Sequence, residues 1–595
     1  MTKGERQLRN RAVRIANFSG YLGDRRSAFD EAMAGDPVDV LVGDYLAEIT
    51  MAGVSAALDA DRQALAGFSV GYFLEQICPH LAAVAEHDLK IVVNAGAFDP
   101  AGLAERVRAA AAHAGVELDV AHVEGDGVLH RLEDLRAAGY DLAHLDTRAP
   151  LDELAGEPIA ANAYLGGWGI TAALREGADI VVCGRVTDAS LVTGPTAWWH
   201  DWGREDWDRL AGAVVAGHII ECGAQAAGGN FAGFTRLPGM LRPGFPIAEI
   251  AADGGSVITK HGADEGAVTV DTVTAQLVYE IQGPHYLNPD VTVDMGSVRL
   301  RQAGRDRVQV SPVTGAPPPP TTKVAIYAPA GYQIGITTHL TGLDVEEKAG
   351  LLERQVRRIA AEAAVDELVV GRHGTPVTDP RTQDEATIGF RVAAAAERPE
   401  PLQRLSRETQ SLGLSSIPGF MGVESAGPKR RIDYWPGLLP QEVLDHKTVL
   451  QDGRRIAIDS PKTEPFHGQP VHPEPEPPPP TPTERVPLGR IAYARSGDKG
   501  GNSNLGIWTD VPEAWPWLRA ALTTSELRRL LPETENLTIV RYEFPHLRAV
   551  HFVLCGLLGN AGSSNLRLDV IGKAVGEHVR ARLVDVPAAL LAAAP

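Results

Sequence analysis

Asp44 and Glu48 are the two carboxylates whose spacing best suits acid–base chemistry. They lie in the segment GDYLAEIT (43–50), directly after an apolar run that predicts a strand. If this segment is helical, both carboxylates share a face and point toward the strand end. Two carboxylates in a partly dry cleft can have separated pKa values, which gives one acid and one base. The alternative is one helix N-cap and one solvated charge.

A second candidate group follows the strand that is predicted to end at Cys183. In CGRVTDAS (183–190), Arg185 could clamp a substrate carboxylate or phosphate through two parallel hydrogen bonds, and Asp188 is a candidate catalytic carboxylate. The alternative is that these two residues simply pair with each other. Asn94, in NAGAFDP (94–100), is a candidate for polarising a carbonyl or hydroxyl group of the substrate.

The loop after the first predicted strand, NFSGYLGDR (17–25), offers an anion site. Its candidate binding residues are Ser19, Gly20, Asp24 and Arg25, because glycine permits close backbone approach and a helix start offers free N–H groups. The loop lacks the G-x-G-x-x-G order, so it gives little support for nicotinamide binding. Asp24 could equally be a helix N-cap.

Polar side chains also interrupt an apolar helical segment, GHIIECGAQAAGGNF (217–231). Gln225 and Asn230 are candidate substrate-binding residues there, Asn230 by polarising a carbonyl or hydroxyl group. Cys222 could be a nucleophile only if a base such as His218 were in contact with it, and a buried inert thiol is the favoured interpretation.

A glycine-rich cluster, RSGDKGGNSN (495–504), lies near the C-terminus. Consecutive glycines beside Lys499 could form a backbone nest for an anion, although the order of a P-loop is absent. A structural turn held by its Asp and Asn side chains is the alternative. The histidines lack H-x-x-x-H spacing and the four cysteines lack CxxC spacing, so we expect no metal site, no disulfide framework and no cofactor.

The elements that must position these residues alternate between short apolar runs and helical segments. The predicted strands are Val13–Asn17, Val38–Val42, Lys90–Asn94, Leu118–Val123, Ala160–Tyr164 and Asp179–Cys183. This alternation predicts a parallel sheet with crossover helices, whose ligand site lies beyond the carboxyl ends of the strands. We therefore expect the strand-end loops to surround one site.

Three units are predicted along the chain. Residues 12–235 are expected to form a Rossmann-like α/β domain, and residues 236–465 an α+β extension of it. Residues 463–487 are rich in proline, which fixes φ and donates no hydrogen bond, so they predict a semi-rigid linker. Residues 487–595 alternate strands and helices and predict a small two-layer α+β domain.

Charge and composition exclude several classes of function. The chain has 595 residues with 56 Lys and Arg against 76 Asp and Glu, a net charge of −20. This balance argues against general nucleic-acid binding and against docking on an anionic membrane. No uncharged apolar run reaches the roughly 18 residues that a membrane span needs. We expect a cytoplasmic protein.

Ten segments together resemble the acyclic terpene utilisation AtuA family. Those of the large part are NFSGYLGDR, GDYLAEITM, NAGAFDP, CGRVTDASLV, ECGAQAAGGNF, GFPIAEI, ITK and YLNPDV. The last two, ARSGDKGGNSNLGI and RYEFPHLRAVHFVLCGLLG, resemble the family's small ferredoxin-like domain. The chain departs from the pattern at His546 and His551, where asparagine is expected.

The resemblance implies a bacterial cytosolic protein linked to the catabolism of citronellol- or geraniol-like terpenoids. We expect a cofactor-independent lyase or hydratase that acts on a branched, carboxylated or CoA-linked acyl substrate. The alternative is a non-catalytic binding or assembly subunit of an acyl-CoA-processing complex. We also expect a homo-oligomer in which the C-terminal domain docks on a large domain, its own or a neighbour's, with the loop around Lys499 at the active cleft.

Overall fold

A computed structural model describes residues 11–592 of the chain, so residues 593–595 of the predicted C-terminal domain lie outside the described part. Its large body is built on an eleven-stranded sheet. The centre of this sheet holds five parallel strands in the spatial order β1, β2, β3, β6, β4. Their bounds are β1 Val13–Ser19, β2 Val40–Gly43, β3 Lys90–Val93, β4 Val120–Glu124 and β6 Ile180–Cys183.

Antiparallel strands extend this sheet on both sides. Next to β1 lie β7 (Pro246–Ile250), β8 (Ser256–Lys260), β12 (Arg307–Val310) and β11 (Leu300–Gly304). Next to β4 lie β19 (Lys447–Val449) and β20 (Arg455–Ala457). The expectation of a Rossmann-like, wholly parallel sheet is therefore not confirmed, because the sheet is mixed. The predicted boundary at residue 236 falls inside one sheet.

A second, six-stranded sheet is organised around one long strand, β14 (Thr321–Thr341). The predicted strand at 160–164 is present as β5 (Ala160–Ala163), but it pairs antiparallel with β14 instead of joining the parallel sheet. Its residues, AANA, carry no β-branched side chain and fit either sheet. The remaining strands are β15 Glu367–His373, β16 Thr387–Ala396, β17 Phe420–Glu424 and β18 Lys429–Pro440.

Helices cover the faces of both sheets. Helix Val345–Glu362 buries Ala349, Leu352, Val356 and Ile359 against the second sheet, and this spacing of three and four residues is that of an amphipathic helix. The α-helices of the large body are α1 Ala28–Ala34, α2 Glu48–Leu58, α3 Arg62–Ala66, α4 Tyr72–Ile77, α5 Leu81–Glu86, α6 Pro100–His113, α7 Leu132–Ala137, α8 Trp168–Arg175, α9 Ser190–Trp199, α10 Trp207–Ile220, α11 Val270–Leu277, α12 Val345–Glu362 and α13 Pro399–Ser411.

The C-terminal domain has its own four-stranded antiparallel sheet, in the order β22, β23, β25, β24. A two-stranded ribbon lies beside it, and a three-stranded sheet belongs to the large body. The domain's elements are β21 Thr483–Pro487, β22 Tyr493–Lys499, β23 Asn502–Trp508, α14 Trp515–Ala521, α15 Thr524–Leu530, β24 Ile539–Phe544, β25 Ala549–Leu554, α16 Val575–Ala581, β26 Leu583–Pro587 and α17 Ala588–Leu591, and the three-stranded sheet comprises β9 His285–Leu287, β10 Thr292–Asp294 and β13 Gly315–Ala316.

The proline-rich segment runs along the surface without regular structure until β21 begins at Thr483. Gln469 accepts a hydrogen bond from the backbone N–H of His285 (2.8 Å) and donates one to its carbonyl (2.7 Å). Glu474 accepts from the backbone N–H of Thr524 (3.0 Å). The segment is therefore attached at points on both domains.

The C-terminal domain packs against the segment 278–281 of the large body. Asn504 accepts the backbone N–H of Glu280 (2.9 Å) and donates to the carbonyl of Val278 (2.7 Å). His551 Nε2 lies 3.0 Å from the carbonyl oxygen of Ile281. The side chain of Trp508 is buried in the same apolar cluster as Phe231 of the large body. This docking places β22 and β23 over the large domain.

No helix within residues 11–592 is long and apolar enough to cross a membrane.

Trp508→Ala tests the docking. We expect it to lower the free energy of unfolding by about 3–5 kcal/mol, because it empties a buried aromatic site shared by the two domains. Proteolysis within residues 463–482 should also accelerate, since a loosened domain leaves the linker more accessible. The control is Trp515→Ala, which removes a half-buried ring that contacts only its own domain's cluster. Equal stability and equal cleavage for Trp508→Ala and the unmodified protein would contradict the docking.

Candidate active site

Arg185 is the centre of a buried charged cluster at the carboxyl ends of the parallel strands. It follows β6 and is only 2% exposed. Its NH1 atom donates to Asp188 Oδ1 (2.6 Å) and to the carbonyl of Val186 (3.2 Å), and its backbone N–H donates to Asp126 (2.9 Å). Its Nε has no hydrogen-bond partner among the described residues. The arginine therefore pairs with Asp188 and keeps its Nε donor uncommitted.

Asp44 lies in the loop after β2 and not on a helix. Helix α2 begins only at Glu48, so the two carboxylates do not share a helical face, which corrects the expectation for 43–50. The Asp44 carboxylate accepts hydrogen bonds from Asn94 Nδ2 (2.6 Å) and from the backbone N–H of Leu46 (3.1 Å). Asn94 Oδ1 in turn accepts the backbone N–H of Tyr45 (2.7 Å). The backbone of two neighbouring strand ends thus fixes Asp44 and Asn94 together.

The environment of Asp44 favours its protonated form. Burial raises the pKa of the Asp44 carboxyl well above its ordinary value, and the negative charge of Asp188 raises it further. Arg185 and the hydrogen bond from Asn94 oppose this shift without cancelling it. Asp44 is therefore a carboxylic acid that can hold a proton where an exposed aspartate cannot.

Glu48 is held in the opposite state. Its Oε1 accepts hydrogen bonds from Lys323 Nζ (2.7 Å) and from the hydroxyl of Tyr164 (2.8 Å). Burial alone would raise the pKa of Glu48, but the cations of Lys323, Arg185 and Lys499 bring it well below its ordinary value. Glu48 therefore remains ionised.

Lys323 and Tyr164 come from the second sheet and were not identified from the sequence. The Tyr164 ring lies between two cations: the Arg185 guanidinium carbon and Lys323 Nζ are each 4.3 Å from its centroid. A cation over an aromatic face is stabilised by the ring quadrupole. The Tyr164 ring therefore stabilises both cations. The signal in the sequence was Lys323 itself, a single charge at the start of the apolar run KVAIY.

Lys499 brings the C-terminal domain into the cluster. It ends β22, and the glycines on either side of it allow close packing: a Cβ on Gly497 would lie 2.4 Å from Tyr279. Burial would lower the pKa of the Lys499 ammonium, but Tyr286 and Glu280 raise it above its ordinary value. No carboxylate of the described chain lies within ion-pair distance of Lys499 Nζ. Its charge is therefore available to a bound anion.

His218 and Glu221, near the end of α10, form a buried pair. His218 Nδ1 lies 3.1 Å from Glu221 Oε1, and the residues are 1% and 5% exposed. Burial raises the pKa of Glu221, and the charge of Asp188 raises it further. His218 and Lys499 lower it. His218 Nε2 and Glu221 Oε2 have no partner among the described residues. Two buried polar atoms in this pair are thus left for another molecule to satisfy.

The carboxyl groups of the cluster outnumber its lysine and arginine cations. Four carboxyl groups, those of Asp44, Glu48, Asp188 and Glu221, act on one another and on three cations, Arg185, Lys323 and Lys499. An unpaired buried charge is costly, so a proton on one carboxyl group restores the balance. Asp44 is the group whose surroundings raise its pKa well above the ordinary value.

The loop at 19–25 contributes only its first residue to the cluster. Ser19 Oγ donates to the carbonyl of Asp44 (3.0 Å). Gly20 donates its backbone N–H to Asp24 (2.9 Å), and Ser27, not Asp24, is the N-cap of α1. Arg25 forms an ion pair with Glu31 (2.7 Å). Asp24 and Arg25 are therefore used to shape their own loop.

Gln225 and Asn230 are also placed away from the cluster's charges. Gln225 Oε1 accepts from Gln276 (3.1 Å) and from Arg495, so it serves the contact between the domains. Asn230 is exposed and has a φ of 54°, a left-handed conformation that asparagine tolerates. Burial raises the pKa of the Cys222 thiol well above its ordinary value, and nearby Glu221 raises it further, which disfavours a thiolate nucleophile.

Two cavities, of about 620 and 450 Å³, lie away from this cluster, and their linings share none of its charged residues. Within residues 11–592, no three His, Cys, Asp or Glu side chains are grouped so as to hold a metal ion. The cluster itself offers carboxyl groups, cations and an imidazole.

The chain matches two protein-family descriptions. Residues 13–450 match the acyclic terpene utilisation family protein AtuA, and residues 486–585 match the AtuA ferredoxin-like domain. The protein therefore belongs to the AtuA family, as the sequence segments predicted. No curated protein and no solved structure shows significant similarity to the chain.

Asp498→Asn tests the electrostatics at the domain contact. Burial, together with Glu280, raises the pKa of Asp498 to about 7 from an ordinary value of 3.8. The folded state therefore binds this proton more tightly than the unfolded state, and the resulting stability is lost as the pH rises through about 7. We expect Asp498→Asn to increase the free energy of unfolding above pH 7 and to change it much less at acidic pH.

The measurement is denaturant unfolding across this pH range. Asp585→Asn, at an exposed site of the same domain, is the matched control and should change stability equally little at every pH. An Asp498→Asn effect that does not depend on pH would contradict the assignment.

Proposed function

We propose that the cluster around Arg185 is the active site of a lyase or hydratase acting on a branched acyl substrate that is carboxylated or CoA-linked. One observation carries the proposal: Asp44 and Glu48 both act electrostatically on Arg185, and their pKa values are displaced in opposite directions. Carboxyl groups whose surroundings separate their pKa values are the usual arrangement of an acid–base site. The position at the carboxyl ends of parallel strands, where Rossmann-like sheets bind ligands, supports it.

Asp44 is the proposed proton carrier. A general acid is most effective when its pKa lies near the working pH, and the raised pKa of Asp44 moves it in that direction. Glu48, whose pKa is lowered, is too weak a base for this role. It holds Lys323 and Tyr164 instead, so that their charges and hydrogen bonds stay fixed around the reacting group.

The pair of His218 and Glu221 is the proposed second proton-transfer group. Addition or loss of water needs one group that handles the proton on carbon and another that handles the proton on the hydroxyl or water. The unpartnered His218 Nε2 and Glu221 Oε2 are the buried atoms suited to this. Asp188 and Asn94, the other catalytic candidates, become positioning residues: Asp188 anchors Arg185 and Asn94 anchors Asp44.

The anionic part of the substrate is proposed to bind between Arg185 Nε and Lys499. Both are cationic groups with donors that no described residue uses. A carboxylate, or the developing oxyanion of a thioester, placed there would be stabilised more strongly in a dry site than in water. Lys499 comes from the C-terminal domain, so the proposal makes this domain part of the site. The family description, acyclic terpene utilisation, supports a branched acyl chain.

A non-catalytic binding or assembly subunit is the second candidate. The observation that favours it is the extent of pairing in the cluster, because buried ion pairs can be purely structural. The two candidates separate when purified protein is incubated with branched unsaturated and 3-hydroxy acyl-CoAs and the products are weighed by mass spectrometry. A gain or loss of one water supports the enzyme; a fragmented acyl chain indicates a carbon–carbon lyase; unchanged but bound acyl-CoA supports the binding subunit.

Asp44→Asn should lower kcat by about 10²-fold or more in this assay, because it removes the proton carrier while leaving an isosteric side chain for Asn94 to contact. Asp290→Asn is the matched control. Asp290 is as buried as Asp44 and also accepts a backbone N–H, from Gly167, but it lies outside the cluster. A folded Asp44→Asn enzyme with unchanged kcat would remove Asp44 from the mechanism.

Lys323→Met should move the acidic limb of the pH–rate profile to higher pH. It deletes the cation that does most to lower the pKa of Glu48, so Glu48 becomes protonated at a higher pH and loses its charge earlier as the solution is acidified. Lys348→Met, which affects a lysine bound to the carbonyl of Thr341, is the control and should leave the profile unchanged. An identical shift in both variants would show that the change is not specific to Glu48.

A further inference from the structure

A cavity of about 620 Å³ lies on the sheet face beside β8 and the hairpin that joins β11 and β12. Its volume is in the range of small-molecule sites. The residues that line it are Arg14, Asp36, Pro37, Thr259, Lys260, His261, Gly262, Arg305, Asp306 and Arg307. None of these residues belongs to the charged cluster around Arg185, which is the proposed acid–base cluster.

The cavity is positively charged in a strongly negative protein. Four lining residues are cations (Arg14, Lys260, Arg305 and Arg307) and two are carboxylates (Asp36 and Asp306); with Glu249, which pairs with two of the arginines, the cations exceed the carboxylates by one. The whole chain carries −20. A concave surface with an excess of positive charge favours anions, so an anion is held better here than on the rest of this negatively charged chain.

Two of the arginines are held in place by one carboxylate. Arg14 and Arg307 both pair with Glu249, which approaches them from the neighbouring strand β7. The pairing fixes the guanidinium planes and leaves further N–H groups of each arginine free to donate. Arg305 is 91% exposed at the rim, with its Nε 3.6 Å from Asp306 Oδ2. Lys260 donates to the carbonyl of Asp264 (2.6 Å) and lies 3.6 Å from Asp306 Oδ2, so it supplies charge to the site and makes no direct contact with a ligand.

His261 provides a buried neutral donor. It is 3% exposed, and its Nδ1 accepts the backbone N–H of Asp36 (2.8 Å). A ring nitrogen that accepts a hydrogen bond carries no proton, so in the neutral imidazole the proton is on Nε2. Burial lowers the pKa of His261, which keeps the ring in this neutral form. Nε2 makes no hydrogen bond to any residue of the described chain, so the donor remains available in the cavity.

We propose that this cavity binds a small molecule that carries a phosphate monoester. Guanidinium forks match phosphate oxygens, and Arg14, Arg307 and the His261 Nε2–H offer donors around one volume. The cavity is larger than an inorganic phosphate ion, so an organic body accompanies the phosphate.

The site is separate from the acid–base cluster. Successive side chains of a strand point to opposite faces, so Arg14 shares its face with Ala16 and Phe18. Phe18 packs edge-on against Phe29 of α1 with ring centroids 4.9 Å apart. Both rings belong to a buried apolar cluster and line neither the cavity nor the charged cluster.

Calorimetric titration at constant ionic strength tests the proposal. The probes are adenosine monophosphate, glycerol phosphate, inorganic phosphate and citrate. We expect saturable binding of the two phosphate esters, weakened about tenfold or more in Arg305→Gln/Arg307→Gln and in His261→Asn. Asparagine keeps an acceptor for the Asp36 N–H and removes the Nε2 donor. Arg301→Gln, on the same hairpin but outside the lining, is the matched control and should bind normally.

The variant Asp44→Asn separates this site from the proposed active site, because it should leave phosphate-ester binding unchanged. Loss of binding in Asp44→Asn would place the ligand in the acid–base cluster and overturn the proposal. Citrate or inorganic phosphate binding as tightly as both esters would overturn the ligand class. Absence of saturable binding at millimolar concentrations, or equal affinity in the Arg305→Gln/Arg307→Gln and Arg301→Gln variants, would overturn the site.

Discussion

The buried guanidinium of Arg185 is the constraint on which the rest of the structure depends. A cation that is 2% exposed is stable only if anionic groups surround it, and Asp188 makes the direct contact at 2.6 Å. The carboxyl groups around Arg185 outnumber this one cation, so their charge must be balanced by further cations and by a bound proton. Lys323 and Lys499 supply the charge, and the raised pKa of Asp44 supplies the proton. The raised pKa of Asp44 thus follows first from its own burial and then from the charge of Asp188, which the buried arginine holds in place.

This balance explains why the site needs several units of the fold. Arg185 and Asp44 follow strands of the first sheet, Lys323 belongs to the second sheet, and Lys499 belongs to the C-terminal domain. Lys323 would be an isolated buried charge without Glu48, which follows a strand of the first sheet, whereas Arg185 pairs with Asp188 of its own loop. Docking of the C-terminal domain therefore contributes to the electrostatics of the cluster as well as to apolar burial.

The sequence predicted the parts of the site that follow strand ends and missed those that arrive from distant segments. Asp44, Asn94 and Arg185 were found because apolar β-branched runs precede them and parallel strands end at one edge. Lys323 and Tyr164 were missed because their strands pair across a sheet whose register no local pattern reveals. The mixed character of the large sheet was missed for the same reason, since β7 and β19 join it from far along the chain.

The three cations of the cluster are not held equally, and this bears on how a substrate could enter. Arg185 lies 2.6 Å from a carboxylate of Asp188, and Lys323 lies 2.7 Å from Glu48. Lys499 acts on Glu48 and Glu221 only through its field, with no carboxylate of the described chain in direct contact. Moving Lys499 therefore breaks no ion pair, whereas moving either of the others leaves a buried carboxylate alone. The Lys499 side chain is thus the cation of the cluster that can move without separating an ion pair, and an incoming anion would supply the contact that this lysine lacks.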